Sequence, residues 1–389
     1  MIDRSLLGAP DGSEVRSNRG RRLTRWPLSL IVFAAALVLY TLTLRPDVLP
    51  ADSGEFQRVV PTAGVAHPPG YPLYVMLGWL FSRLPVGPSP AWRVNAFSAV
   101  TAAGTLALVY ATARRLSDST IGGLAAALTL GSATTFWATA TKASIRPLTA
   151  FFTALALYAL AEYRTQVRLA SSDDVFPDAR QGDKDDRSIV GRGERTQEDG
   201  TVRIPDWPLM LLALSLSLGL THHPSLAFPG LVLVIYAILL DPSLLRRPDR
   251  WVKPLLAALP GLLVLGYLPL RGGPQLSTMS GFLDHVLARG FRGDMFALGL
   301  LDRLILLPML LRFQFNPIVL LGMGLGTAML LIRDWRLALL LLGSFAVHIA
   351  VTLTYDAPQT VEYAMPAYVS AALLAAVPFG RTGGLPSWV

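Results

Sequence analysis

Two carboxylates, Asp52 and Glu55, are the residues whose type and spacing are best suited to chemistry. They are three positions apart, so one helical turn would bring both onto the same face, and Gly54 between them would let the backbone leave the helix. A carboxylate held in this way can act as a general base that takes a proton from a hydroxyl group. The same residues also suit a helix cap or a solvated loop. Spacing alone therefore leaves a catalytic and a structural role open.

A rigid segment, His67-Pro-Pro-Gly-Tyr71, follows the two carboxylates. Its prolines fix the backbone and Gly70 permits a sharp turn, so the segment can hold its two aromatic side chains in a defined position. The His67 imidazole could bind a substrate, or it could stabilise the turn through a hydrogen bond. The sequence leaves both interpretations open.

Several cations and histidines fall in the loops that are predicted to lie on the same side of the membrane. The cations are Lys142, Arg146, Arg271, Arg289 and Arg292. A single one could simply extend to the membrane interface, but as a set they predict a phosphate-binding surface, because guanidinium forks match phosphate oxygens. The adjacent pair His222 and His223 would point in different directions on a helix, and no H-x-x-x-H spacing occurs. We therefore assign no metal ligands to this pair.

Composition indicates a membrane protein. Hydrophobic residues make up 52% of the 389 and charged residues 15%, and the mean hydropathy is +0.46. Soluble domains carry about 25% charged residues, so this chain has too few to cover a globular surface in water. The net charge of +8 fits basic residues beside membrane spans, so the expected partner is a lipid bilayer and not nucleic acid. The absence of cysteine excludes disulfides and thiolate chemistry.

The hydrophobic pattern predicts an all-α polytopic protein with about ten transmembrane helices. The predicted spans are residues 26–44, 95–110, 121–138, 148–163, 207–220, 226–240, 254–270, 317–332, 338–353 and 363–377. Residues 71–84 are too short to cross, and residues 296–315 mix charges with apolar positions, so both are predicted as helices in the outer interface. Basic residues in the 1–26 tail keep the N-terminus in the cytoplasm, and the 381–389 tail ends on the same side. Within the 27–380 domain, residues 164–206 are predicted to form a solvated, charged cytoplasmic loop.

This topology places most of the unusual polar residues on the outer side of the bilayer. A further, smaller group there contains Tyr355, Asp356 and Glu362. Ion-coupled transporters usually carry ionisable groups inside their spans, whereas these spans contain almost none. Charges gathered in the outer loops instead favour chemistry on a lipid-borne substrate at the membrane surface. A transporter or flippase that moves lipid-linked sugars without transfer chemistry stays the alternative.

The polar motifs resemble those of one family. Residues 50–56 (PADSGEF) and 64–74 (GVAHPPGYPLY) look like the signature of a GT-C-type membrane glycosyltransferase branch, the protein O-mannosyltransferase-like or transmembrane-protein-260-like branch formerly catalogued as a domain of unknown function. Further matches are Arg93-Val-Asn95, Gly219 to Pro224, Tyr267 to Arg271 and Phe282 to Val286. The resemblance runs over roughly residues 27 to 380.

The resemblance implies an inverting glycosyltransferase. It implies transfer of a sugar, with mannose expected, from a polyprenyl-phosphate donor to a protein or glycan acceptor outside the cytoplasm. The first outer loop of such enzymes supplies the base, which falls on Asp52 with Glu55 as the alternative or assisting acid. Donor phosphate would be held by later cations, Arg271 first and Arg289 next. No other cofactor is assigned, metal dependence stays open, and the expected location is a bacterial plasma membrane.

The expected binding residues extend beyond these cations. The substrate-binding set is His67, Tyr71, Arg93, Asn95, Arg146, His222, His223, Arg271, His285 and Arg289. One motif departs from the family pattern: relatives often carry a Glu-Val-Tyr-like motif after the third span, where this chain has Ser144-Ile-Arg146. The exchange removes an acid and adds a cation, which puts donor or acceptor specificity in doubt.

Overall fold

The computed structural model describes residues 25–175, 204–291, 293–356 and 359–380. Residues 1–24 of the predicted basic tail, most of the predicted charged loop, Arg292 and the 381–389 tail lie outside these ranges. Within the described ranges the secondary structure is helical and no strand occurs. The predicted all-α class is therefore confirmed for the described part of the chain.

The described residues up to His222 contain eight α-helices. They are α1 (Arg25–Leu42), α2 (Ala51–Val59), α3 (Pro72–Ser82), α4 (Pro90–Ser117), α5 (Thr120–Gly131), α6 (Thr134–Ala140), α7 (Arg146–Val175) and α8 (Trp207–His222). Helix α7 continues past Arg164, where the solvated loop was predicted to begin. That boundary was wrong because Arg164 is buried and forms an ion pair with Asp334, so the helix remains packed against the bundle at this point.

The second half contains longer helices separated by many short ones. They are α9 (Ala227–Leu240), α10 (Ser243–Arg246), α11 (Val252–Leu265), α12 (Tyr267–Arg271), α13 (Gly273–Leu276), α14 (Met279–Val286), α15 (Leu300–Arg303), α16 (Leu307–Gln314), α17 (Pro317–Arg333), α18 (Trp335–Thr354), α19 (Thr360–Tyr363) and α20 (Met365–Ala376). The predicted amphipathic helix over residues 296–315 is a broken one, with a 3₁₀ turn at Leu304–Leu306 between α15 and α16. The chain then turns by 119° into α17.

Fewer helices are long and apolar enough to cross a bilayer than the ten spans predicted. Among the described residues three helical stretches qualify, namely Pro90–Ser117, Pro248–Arg271 and Trp335–Thr354, or five if each of two bent helix pairs counts as one span. Five further apolar helices have 10–17 residues, which is short for a hydrocarbon core of about 30 Å. The count of ten therefore stays a prediction.

Helix α4 connects the two ends of the helical bundle. Ser89 caps its first turn by accepting a hydrogen bond from the backbone N–H of Trp92, and Pro90 occupies the first helical position, where a missing N–H costs nothing. Its buried face is rich in alanine, including Ala99, which lets α1, α5 and α7 pack closely against it. Asn95 near its start and Ser117 at its end are separated by about 33 Å of helix. We call these the Asn95 end and the Ser117 end.

Candidate active site

Helix α2 carries both predicted catalytic carboxylates on adjacent turns at the Asn95 end. Asp52 lies in its first turn and Glu55 one turn later, as the spacing predicted. The predicted role of Gly54 was wrong, because the helix continues through it. A Cβ atom there would come within 2.1 Å of the Leu49 carbonyl oxygen. Glycine is therefore required for the close approach of the preceding loop, not for a break in the helix.

Glu55 is engaged by the segment that follows the helix. Its Oε1 accepts a hydrogen bond from the backbone N–H of His67 at 2.8 Å, and its Oε2 lies 2.5 Å from Nδ1 of the same residue. Both side chains are about one-third exposed or less. The two motifs that the sequence singled out separately therefore form one acid–imidazole pair.

Asp52 has far fewer contacts than Glu55. Its nearest hydrogen-bonding neighbour among the described residues is the Gln359 amide, with Nε2 3.5 Å from Oδ2. That distance is at the outer limit of a hydrogen bond, so the carboxylate keeps most of its acceptor capacity. Of the two acids, Asp52 therefore has the more available carboxylate oxygens.

A buried amide network fixes helix α2 against the bundle. The Gln57 amide donates to Asn95 Oδ1 at 2.9 Å, and the same oxygen accepts the backbone N–H of Ala143 at 2.8 Å. Asn95 Nδ2 in turn donates to the Arg45 carbonyl at 2.7 Å. Asn95 is fully buried, so the structure gives it a positioning role and leaves it no exposed surface for the substrate contact that was predicted. Gln57 was missed because nothing in its local sequence distinguishes it.

Tyr71 lies beside the imidazole of the Glu55–His67 pair. Its hydroxyl lies 3.5 Å from His67 Nε2, and its ring stacks on that of His223 with centroids 6.2 Å apart. Burial raises the pKa of its phenol, so the group keeps its proton. The turn that delivers it needs Gly70, which has a φ of +90° and leaves no room for a Cβ atom beside Leu268.

A cation, Arg146, lies beside the stacked rings of Tyr71 and His223, at the first position of α7. It is buried, donates through NH1 to His223 Nε2 at 3.2 Å, and holds its guanidinium carbon 3.8 Å from the centroid of the Tyr363 ring. Burial, followed by the charge of Arg146, lowers the pKa of His223 well below its ordinary value. A neutral imidazole is the form that can accept this hydrogen bond.

The acid closest to Arg146 does not neutralise it fully. Glu362 Oε1 forms an ion pair with Lys142 Nζ at 3.1 Å, whereas its Oε2 is 3.9 Å from Arg146 Nε. The acid that is missing from the Ser144-Ile-Arg146 motif is therefore supplied from a distant part of the chain, and it serves two cations. The pair of cations retains an excess of positive charge.

Tyr355 and residues 359–363 complete the site, although their sequence carries only a weak signal. Gln359 reaches Asp52, Glu362 lies between Lys142 and Arg146, and the Tyr363 ring packs edge-on against Tyr355 at 5.0 Å. One short segment thus contacts both the acidic and the cationic sides. Polar residues in an otherwise apolar region were the only feature by which the sequence could have indicated this role.

Arg271, the first choice for donor phosphate, is bound to backbone. Its Nε donates to the Ala63 carbonyl at 2.8 Å and its NH2 to the Thr62 carbonyl at 3.1 Å. Tyr267 adds a hydrogen bond to the Gly64 carbonyl at 2.9 Å. In this structure α12 therefore clamps the loop that leads to His67. A phosphate role for Arg271 stays a prediction.

Three other predicted binding residues have protein partners that differ from the prediction. Arg93 donates to the carbonyls of Val86 and Ser82, and Arg289 pairs with Asp284 at 2.5 Å. His222 is fully buried, with Nε2 3.0 Å from the Ile145 carbonyl oxygen, so it joins α8 to α7 and has no exposed surface.

A groove of about 510 Å³ lies beside the acid–imidazole pair. His67 and Pro68 form part of one wall, and residues 272–290, including Asp284 and the predicted binding residue His285, form the other. Burial lowers the pKa of His285, and the neighbouring His67 lowers it further. The groove is lined by both polar and apolar residues and lies next to the candidate catalytic residues.

A divalent cation could be held at the same site. Among the described residues, Asp52, Glu55 and His67 each offer a ligand atom, and these atoms lie within 4.8 Å of one another. Two carboxylates and an imidazole suit several divalent metals. The sequence predicted no metal ligands because His67 is twelve positions from Glu55, and only the fold brings it beside the carboxylates.

The helical fold of the described residues has a counterpart among solved structures. The solved structure of ArnT from Cupriavidus metallidurans bound to undecaprenyl phosphate superposes with a TM-score of 0.59 over 90% of this chain and 59% of that one, at 14% identity. Its apo state gives 0.58 at 15% identity. Identities this low indicate a shared fold only.

Sequence similarity points to a narrower group. The family model for the protein O-mannosyl-transferase TMEM260 N-terminal domain matches residues 52–241. Protein O-mannosyl-transferase TMEM260 of Mus musculus is 38% identical over 33% of this chain and 18% of its own length. The Dictyostelium discoideum protein O-mannosyl-transferase tmem260 is 26% identical over 66% of this chain and 30% of its own. The chain thus matches less than a third of either relative's length.

The resemblance read from the motifs is confirmed by these matches. Residues 52–241, just under half of the chain, are similar to the protein O-mannosyl-transferase TMEM260 N-terminal domain, and the chain shares its fold with ArnT. Both named sequence relatives are eukaryotic, so the expected bacterial plasma membrane stays a prediction.

Proposed function

We propose that this protein transfers mannose from a polyprenyl-phosphate donor to a hydroxyl group of a protein acceptor on the outer side of the membrane. The observation that carries the proposal is a sparsely bonded carboxylate, Asp52, beside an ordered acid–imidazole pair and near a buried cation with excess charge. The named relatives support mannose and a protein acceptor, and the undecaprenyl phosphate bound to ArnT supports a polyprenyl-phosphate donor.

Asp52 acts as the general base in this proposal. It takes the proton of the acceptor hydroxyl while the hydroxyl oxygen attacks C1 of the sugar. The bond between C1 and the phosphate oxygen breaks, and its electron pair leaves with the polyprenyl phosphate. Attack from the face opposite the leaving group inverts the anomeric centre. Glu55 holds His67 in place and is the assisting acid.

Arg146 stabilises the leaving phosphate. A buried guanidinium stabilises developing negative charge more strongly than an exposed one, because the surroundings screen it less. Its position over Tyr363 leaves the fork preorganised, and the neutral His223 fixes one of its nitrogens. Tyr71 and Tyr363 supply flat apolar faces of the kind that line small-ligand pockets. The structure supports Arg146 over Arg271 for this role, since Arg271 already has two carbonyl partners.

The groove between residues 65–68 and 272–290 is the proposed acceptor site. It runs beside His67, so an extended peptide lying in it would bring a serine or threonine hydroxyl close to the carboxylates. The predicted topology with basic residues inside would put this groove on the outer face.

The test is mannosyl transfer by the purified protein, with synthetic polyprenyl-phosphate mannose and a serine- and threonine-containing peptide, followed by mass spectrometry. We expect Asp52→Asn to reduce the transfer rate by about 10³-fold, the usual contribution of a general base. Donor binding should stay within about twofold of wild type.

A matched control separates the two acids. Glu55→Gln should disturb the His67 loop and therefore raise the apparent acceptor KM as well as lower the rate. Transfer by Asp52→Asn at the wild-type rate would contradict the base assignment. Donor movement across vesicle membranes with no transfer to any peptide would instead support the flippase alternative.

A further inference from the structure

The Ser117 end of the bundle contains a second cavity, far from the candidate active site. It has a volume of about 170 Å³ and lies between α4, α17, α18 and α20. Its walls are mostly apolar and include Leu330, Leu341 and Leu373. An apolar cavity of about 150 Å³ can hold a small hydrocarbon, so this one can accept a short stretch of acyl chain.

Charged side chains line the mouth of this cavity. Arg164, Arg333 and Asp334 all line it, and Arg168 lies next to them because it also contacts Asp334. Asp334 forms ion pairs with Arg164 and, at 3.4 Å, with Arg168, and it also caps α18 through the backbone N–H of Leu337. These four described residues are three arginines and one carboxylate, so together they carry two more positive charges than negative ones.

The combination of apolar walls and a cationic mouth fits one class of ligand. We infer that this cavity binds an anionic membrane lipid, with its phosphate at Arg333 and Arg168 and the start of one acyl chain between the helices. Basic pockets between membrane helices are a known means of binding anionic headgroups. A soluble anion would not use the apolar cavity, and a zwitterionic lipid would not compensate the excess charge.

This site is separate from the proposed transfer reaction. It is reached at the opposite end of α4, about 33 Å from Asn95. None of the residues that line it belongs to the acid–imidazole pair or to the group formed by Lys142, Arg146, Glu362 and Tyr363. The lipid would connect helices from both halves of the chain, since α4 and α7 come from the first half and α17, α18 and α20 from the second.

The test measures lipid binding to the purified full chain in neutral detergent by native mass spectrometry, with no sugar donor present. We expect phosphatidylglycerol to bind at least tenfold more tightly than phosphatidylcholine. The double variant Arg168→Gln with Arg333→Gln should weaken phosphatidylglycerol binding by about tenfold or more, because each basic residue near an anionic lipid contributes about a fivefold effect. Both arginines are exposed, so the variant should fold.

Two further variants make the test specific. Arg247→Gln removes an exposed arginine that pairs with Asp249 and does not line the cavity, so it should leave lipid binding unchanged. Met329→Trp should fill the cavity from its half-buried wall and weaken phosphatidylglycerol binding while the arginines stay in place. Mannosyl transfer and thermal unfolding of each variant would show that it is folded.

Three outcomes would overturn the inference. The first is equal affinity for phosphatidylglycerol and phosphatidylcholine. The second is an equal loss of binding in Arg247→Gln and in the double variant, which would indicate only general attraction to a basic surface. The third is that glycerol phosphate alone competes as well as the intact lipid, which would show that the apolar cavity plays no part.

Discussion

Asp52 and Arg146 at the Asn95 end are paired more loosely than three ion pairs at the Ser117 end. At the Ser117 end, buried or half-buried ion pairs join Arg115 to Glu162, Arg164 to Asp334 and Arg250 to Asp241, each in direct contact. At the Asn95 end, by contrast, Asp52 has only a 3.5 Å neighbour and Arg146 lies 3.9 Å from its acid.

The contrast separates structural charges from functional ones. A closely paired buried charge has little capacity left for a ligand, and its partner becomes costly to remove. A loosely paired charge is held in place by other contacts, such as the Tyr363 ring beside Arg146, and can still interact with a substrate. We therefore expect substitutions in these three close ion pairs to change stability, and substitutions of Asp52 and Arg146 to change activity.

The strongest effect that we expect from this contrast is on stability. Glu162→Gln should lower the free energy of unfolding by about 3–5 kcal/mol, because it leaves the half-buried Arg115 without its partner. The measurement is thermal unfolding in detergent. Asp249→Asn, at an exposed ion pair, is the control and should change stability by no more than about 0.5 kcal/mol. A similar small loss for both variants would remove the contrast between the two kinds of pairing.

Arg146→Gln should have the next strongest effect, and on activity. We expect the transfer rate to fall by about 100-fold, since a charge-assisted contact to the leaving phosphate contributes about 2–3 kcal/mol. Lys142→Gln is the control. The Lys142 ammonium forms the closer ion pair with Glu362, at 3.1 Å, whereas Arg146 is the cation that lies over the Tyr363 ring. It should lower the rate by less than about tenfold. A larger loss in Lys142→Gln than in Arg146→Gln would reverse our assignment of the phosphate site.

Arg271→Gln should have a smaller effect, expressed in substrate affinity. It removes two hydrogen bonds to the 62–63 backbone at an exposed position, so we expect a cost of about 1 kcal/mol in ordering the His67 loop. The apparent acceptor KM should rise about fivefold while the donor KM changes little. A rise in the donor KM alone would restore the phosphate role that the sequence predicted.

The weakest effect that we expect is a dependence of stability on pH. The unfolded chain can protonate His223 near its ordinary pKa of 6.5, but the folded protein resists this because the pKa of His223 is lowered by burial. Stability should therefore fall as the pH drops below about 6.5, where the unfolded state binds more protons. Melting temperatures between about pH 8 and pH 5 would measure this slope, and His223→Gln should reduce it. An unchanged slope in the variant would assign the effect to other groups.

Local sequence predicted the parts of the site that depend on neighbouring positions. Asp52 and Glu55 fall on one helix because they are three residues apart, and the proline-rich segment does set His67 and Tyr71 firmly. The same kind of argument could not anticipate the backbone contacts of Arg271, because a guanidinium has the same appearance in sequence whether it contacts a phosphate or a backbone carbonyl. It also failed for Asn95, because its hydrogen bonds join segments 38 to 50 positions away.

Sequence alone established the helical membrane class, the acidic turn at Asp52 and Glu55, and the resemblance to the mannosyltransferase-like group. These follow from composition, from helical periodicity and from short motifs, all of which act over a few residues. The contacts that assemble the candidate site depend instead on the tertiary fold. The Gln359 amide is 307 positions from Asp52, and Glu362 is 220 positions from its partner Lys142. Packing of distant helices fixes such contacts, and no local spacing encodes them.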